Sequence, residues 1–333
     1  MYFFDSNSAV DGCNAKSEPG YEHMEWLRVQ LKILRSRNMK AILMGHVPPS
    51  PYRDVVVGSF YGHMNIDHFM LQDSNKVNID SKVDGKVSAS SKTDYLQSLR
   101  NQWSSLPYPP SGVFKELDST GGKKKDKKKQ KFLDKIGGPW AERYSVSLVA
   151  PSLVPNFFPS LRVIDYNVTG LDDVAHGRRF SAFPEIQKKE KKGKDKKKKP
   201  KFKVPEPPSS TAPPGPAYSN QPFTLLGYTQ YYSNLTKLHE KIAAGEQGDD
   251  PRLDFEIEYT TSDDVYQMKD LTVRSFFQLA ARIGEEGAEE KHTGDISSQG
   301  VDAADKNKKP VNDVWRTFLR RAFVGFPVDD LDE

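Results

Sequence analysis

This chain of 333 residues holds one cysteine, Cys13, so no disulfide can form within it. It has no run of about 18 apolar residues, so no transmembrane helix is expected. Its opening, MYFFDSNSAVDG, has neither a basic leader nor a long apolar core, which argues against a secretory signal at that position. Apolar residues are sparse at 36%, and 28% are charged. That balance describes a folded part diluted by solvated tracts. No internal repeat is evident.

Charge is unevenly placed. Residues 123–131 and 188–203 together hold 18 lysines against three acids, a net of +15. The total is only +4, so the rest of the chain stands at −11. Basic tracts of this kind bind polyanions by releasing counterions, or are simply solvated with no fixed partner. Only Phe132 and Phe202 lie among these lysines, so base stacking on nucleic acid is not supported.

Periodicity divides the chain. Residues 1–73 are rich in structure signals. YFF reads as a strand that opens abruptly, without the polar lead-in usual at a chain start. Residues 21–37 place Met24, Leu27, Leu31 and Leu34 on one helical face, with Asn38 as the stop. Residues 41–44 and 54–57 read as strands leading to Gly45-His46 and Gly62-His63. Residues 74–138 read as a disordered insert that carries the first lysine tract. Alternating patterns return over 139–175. Residues 176–219 form a lysine- and proline-rich linker. Residues 220–333 read as a mainly helical region, with helices near 270–283 and 311–326. The fold class is therefore α/β.

His46 and His63 each follow a glycine at the carboxyl end of a strand, where open α/β sheets build their sites. His63 and Asn65 are two apart, and in an extended segment both would face one side. Imidazole nitrogen and amide oxygen suit Mn²⁺, Mg²⁺ or Zn²⁺. Taken singly, each histidine is also compatible with a structural role. Cys13 has no neighbour that would activate a thiolate.

GHVPP at 45–49 and YGHMNIDHF at 61–69 resemble the last two metal-binding blocks of calcineurin-like phosphoesterases. Together with residues 2–12, 26–31, 52–73, 148–167 and 223–236, their wording resembles the fungal vacuolar endopolyphosphatases. The acid sphingomyelinase-like phosphodiesterases are the neighbouring branch. The resemblance implies a metallophosphoesterase β-sandwich flanked by helices, here incomplete, with disordered lysine-rich inserts. It implies a dinuclear centre of Mn²⁺, Mg²⁺, Zn²⁺ or Co²⁺ that hydrolyses phosphoanhydride bonds within inorganic polyphosphate.

On this resemblance His46 and His63 bind one metal, and Asn65 binds the other where many relatives carry histidine. Asp67 and His68 take supporting, substrate or structural roles. Asn167 and Asn234 head glycosylation sequons that suit a vacuolar lumen. Three departures stand out. The family's upstream Asp-x-His, Gly-Asp and Gly-Asn-His blocks are not in this chain, and they supply the bridging aspartate. The step from Pro49 to Tyr52 is short. The membrane anchor expected of the fungal enzymes is also missing. The chain alone is therefore expected to be inactive or nearly so. A sphingomyelinase-like phosphodiesterase and a non-catalytic polyanion-binding remnant are the rival readings.

Overall fold

The computed structural model describes residues 19–44, 56–75, 91–110, 112–113, 127–153, 157–170, 214–246, 252–285 and 312–325. Side chains are described from Glu25 onward. The architecture is α/β, with one mixed and one antiparallel sheet among helices.

Helix α1 (Pro19–Ser36) gives way to a turn at Asn38, whose φ of 51° breaks the helical path. Asparagine tolerates this left-handed region better than most residues. Leu31 packs on Val56, with Leu27 and Leu34 alongside. Strands β1 (Ala41–Met44), β2 (Val56–Tyr61) and β3 (His68–Asp73) follow, and β4 (Tyr144–Val149) comes later in the chain. They form a four-stranded sheet in the order β1-β2-β4-β3. β1, β2 and β4 are parallel, and β3 runs antiparallel to β4. The carboxyl ends of three strands and the start of β3 therefore share one edge.

Two helices lie within the stretch expected to be disordered. α2 (Lys92–Ser104) is opened by a capping box in which Ser91 and Asp94 satisfy each other's backbone N–H groups. It buries Leu96, Leu99 and Trp103. α3 (Lys127–Ile136) buries Phe132 and Ile136. Composition over a long polar stretch hides short amphipathic helices of this kind, and residues 76–90 and 114–126 lie outside the described residues.

The second sheet is antiparallel: β5 (Ser160–Tyr166), β6 (Leu225–Tyr232) and β7 (Glu256–Thr260), in that order. The carboxyl third therefore holds two strands, β6 and β7, beside its helices. Glu256-Ile257-Glu258-Tyr259 alternates polar and apolar residues, the period of a strand. Short α4 (Leu235–Ala243), then α5 (Val273–Gly284) and α6 (Asp313–Ala322), complete the described elements.

One core joins both sheets to α2, α5 and α6. Phe69 stacks on Trp103 at 4.7 Å and meets Phe276 at 5.0 Å and Phe318 at 6.0 Å. Gly284 is required where α5 crosses α2, because a Cβ there would lie 2.6 Å from backbone atoms of Trp103 and Ser104. Asn312 fastens two helices at once. Its Oδ1 caps Val314 and Trp315 of α6, and its Nδ2 donates to Arg282 and Glu285 carbonyls at the end of α5.

Candidate functional site

Residues 62–67 connect the end of β2 to the start of β3, at the shared strand edge. They are not extended. Met64 N–H donates to the Gly62 carbonyl at 2.9 Å across His63, whose φ is 73°. This is the positive-φ form of a γ-turn, which is rare and strained. Asn65 is also left-handed, at φ 56°. The expectation that His63 and Asn65 face one side because the segment is extended is therefore corrected. A turn brings both onto one short loop instead. His63 is exposed, and Asn65 is half-buried. Backbone strain of this kind persists only where the surroundings over-determine it, and such positions cluster at functional sites.

The surroundings here are explicit. Ile66 is fully buried in the main core, and Met64 packs against it. The Asp67 N–H donates to the Ala322 carbonyl at the end of α6, at 2.8 Å. The Asp67 carboxylate is 4% exposed. One oxygen accepts from the Tyr259 hydroxyl at 2.5 Å, and the other lies 2.6 Å from Arg162 Nη2. Arg162 stacks over Tyr228 at 3.8 Å and donates through Nε to Gln230 Oε1 at 2.8 Å. Tyr228 and Tyr259 share a hydroxyl contact of 2.9 Å. So the 62–67 loop, which belongs to the first sheet, is held by β5, β6 and β7 of the second.

Burial works against the Arg162 charge, but Asp67 and the two tyrosines more than compensate and hold its pKa above the ordinary guanidinium range. Burial pushes Tyr228 up to about 12, with Arg162 pulling the other way. Burial, then Asp67, holds the Tyr259 phenol well above its usual range, so it remains a donor. A buried pair is poor evidence for net stability, but breaking one leaves an uncompensated charge.

Glu258 on β7 sits beside this cluster. Neither of its carboxylate oxygens has a hydrogen-bond partner. Burial and the Asp67 carboxylate push it up to about 8, only partly opposed by Arg321, Arg162 and Arg320.

His68 is fully used by the fold. Its Nδ1 is 3.1 Å from the Ile66 carbonyl, which can only accept. Nδ1 therefore carries the proton, and Nε2 accepts from the Tyr95 hydroxyl at 3.1 Å. Burial lowers its pKa to about 4, so the ring is neutral at ordinary pH. Both ring nitrogens of His68 therefore hold contacts within the fold.

His46 lies outside the described residues. β1, which precedes it, ends at Met44 on the same edge as the 62–67 loop. Among the described residues no group of three or more His, Cys, Asp or Glu side chains converges as a metal-holding set. The loop offers two donors, His63 and Asn65, which are chemically suited to a divalent metal but do not complete a site. Asn167 donates from Nδ2 to Asn220 Oδ1 at 2.8 Å, and Asn234 caps α4 by accepting from Lys237 N–H at 3.1 Å. No described helix is long and apolar enough to cross a membrane.

No family model matches the chain. Individual relatives do. An endopolyphosphatase of Neurospora crassa is 37% identical over 86% of this chain and 52% of its own length. One of Schizosaccharomyces pombe is 32% identical over 98% of this chain and 58% of its own. One of Saccharomyces cerevisiae is 29% identical over 86% and 55%. The chain is related by sequence to the fungal endopolyphosphatases. It spans about half the length of these relatives. The Neurospora alignment runs over 388 positions, more than the chain's 333 residues, so that relative carries stretches this chain does not.

Arg162, Tyr259 and Glu258 were not among the residues singled out from sequence. A charged residue inside the alternating run LRVIDY was the available signal for Arg162. Nothing local marks Tyr259, which is 192 residues from Asp67.

Proposed function

We propose that this chain forms part of a metal-dependent endopolyphosphatase, a hydrolase that cuts phosphoanhydride bonds inside inorganic polyphosphate. Relatedness to endopolyphosphatases from several fungi carries the reading. The strained, clamped loop bearing His63 and Asn65 at the carboxyl edge of a sheet supports it.

On this reading His46 and His63 bind one divalent metal and Asn65 binds its neighbour. Two such metals, Mn²⁺, Mg²⁺, Zn²⁺ or Co²⁺, would supply an activated water and offset charge on the phosphate oxygens. Asp67, Arg162, Tyr259 and His68 hold the loop in its left-handed path. The chain alone, holding part of that set, cleaves weakly or not at all. The native protein works in the vacuole, held by a membrane anchor, with Asn167 and Asn234 available for glycosylation.

The test is a gel of long-chain polyphosphate incubated with the protein purified from its own organism. Products of intermediate length that vanish with a chelator and return with Mn²⁺ support the reading. Release of phosphate from chain ends alone, or preference for a phosphodiester over polyphosphate, overturns it.

A further inference from the structure

The surface of α3 carries a feature that the metal loop does not use. Lys127, Lys131 and Lys135 recur every four residues and all are exposed. At about 1.5 Å rise per residue they form a ridge with roughly 6 Å between steps. The opposite side of the helix is locked down. Phe132 is 5% exposed and faces Phe277 at 6.2 Å, while Ile136 is fully buried. The end is fixed as well. Gly137 turns at φ 83°, and Arg143 N–H and Nη1 donate to the Ile136 and Lys135 carbonyls, each at 3.0 Å. The lysines are thus displayed from a fixed base.

The arrangement is unfavourable by itself. Like charges at i and i+4 repel by about 0.2–0.5 kcal/mol per pair. Lysines in the first turn also face the positive end of the helix dipole, and this turn has no acid. One acid, Asp134, lies beside the ridge and accepts from Gln130. The nearby Arg143 guanidinium is occupied by Asp73. A linear polyanion laid along the ridge would remove the repulsion.

Position matters too. α3 joins β4 at its Tyr144 end, whereas the 62–67 loop adjoins the Val149 end, opposite His68. Five strand steps at about 3.3 Å separate the two ends of β4 by roughly 17 Å.

We propose that Lys127, Lys131 and Lys135 are a docking ridge for inorganic polyphosphate, on the helix that leads into β4, so that a long chain held on the ridge can extend along the sheet toward the His63–Asn65 loop. This rests on the polyphosphate reading above, but binding can be measured without cleavage. Polyphosphate is favoured over single-stranded nucleic acid because no exposed aromatic lies on α3, its one aromatic, Phe132, being buried.

The experiment is fluorescence anisotropy of end-labelled long-chain polyphosphate with the 333-residue chain across a salt series. The Lys127→Gln/Lys131→Gln/Lys135→Gln variant should lose about 2 from the slope of log K against log salt, at roughly 0.7 per phosphate contact. The matching Lys→Arg variant should keep the slope, which separates lost charge from lost fold. No binding, an unchanged slope in the Gln variant, or equal affinity for oligo-dT overturns the proposal. A catalytic reading that fails while this slope falls leaves the ridge intact.

Discussion

Replacing Arg162 by Met would remove the cation that holds Asp67 beneath the 62–67 loop. The Arg162 side chain is 7% exposed and that of Asp67 is 4% exposed, so water screens the pair little. Removing one member of a buried pair costs about 3–5 kcal/mol, because the other charge stays buried. The lost hydrogen bond to Gln230 adds about 1 kcal/mol. Met recovers part of this by packing on Tyr228. The net expectation is a loss of about 3–4 kcal/mol. Asp67→Asn leaves Arg162 as the orphan and should cost a similar amount. The double variant removes both charges, so its loss should fall short of the summed singles by about 2–3 kcal/mol. Urea unfolding followed by tryptophan fluorescence reads this, since Trp103 and Trp315 are buried in the core that the loop contacts. A single-variant loss under about 1 kcal/mol, or strict additivity, would refute a dry, coupled clamp.

Other outcomes follow from particular contacts. Gly284→Ala should destabilise by about 1–3 kcal/mol, because the added methyl meets backbone that cannot swing aside; an unchanged urea midpoint contradicts the close crossing of α2 and α5. Glu258→Gln should have its effect at high pH. The native carboxyl sits near 8 against an ordinary 4.5, so the folded state holds a proton the unfolded state has released between those values. Wild-type stability is therefore lost as pH rises through that window, and the variant escapes the loss. Its melting temperature should climb relative to wild type from pH 5 to pH 9, and a constant difference would refute the assignment. His68 has the opposite sign. Its pKa of about 4 lies below the ordinary 6.5, so its contribution is present above 6.5 and fades as pH falls toward 4. His68→Gln should flatten the acid limb of the stability curve.

Much of the first sheet was legible in sequence because local signals and tertiary demands agree there. Leu27, Leu31 and Leu34 mark the buried face of α1, the apolar run at 41–44 falls on β1, and Val56 and Val57 of the run at 54–57 open β2. Gly62-His63 marks the strand end, yet the loop's left-handed path was not visible, since Asn65 reads equally well as a ligand and as a residue that tolerates positive φ. The helix at 127–136 was hidden by its five lysines and the one at 92–104 by its polar surroundings, though Ser91 with Asp94 is a readable capping box. The clamp was out of reach. Asp67, Arg162 and Tyr259 come from three separate stretches, and only the packing of the second sheet on the first brings them together.

We propose that His63 serves a metal centre that cuts polyphosphate, and its replacement tests this most directly. The measurement is the rate at which the native protein and its His63→Ala variant shorten long-chain polyphosphate in Mn²⁺, with bound metal quantified in both. Cleavage should fall to background and bound metal should drop, while the melting temperature holds, because His63 is exposed. Unchanged cleavage with unchanged metal content would contradict it.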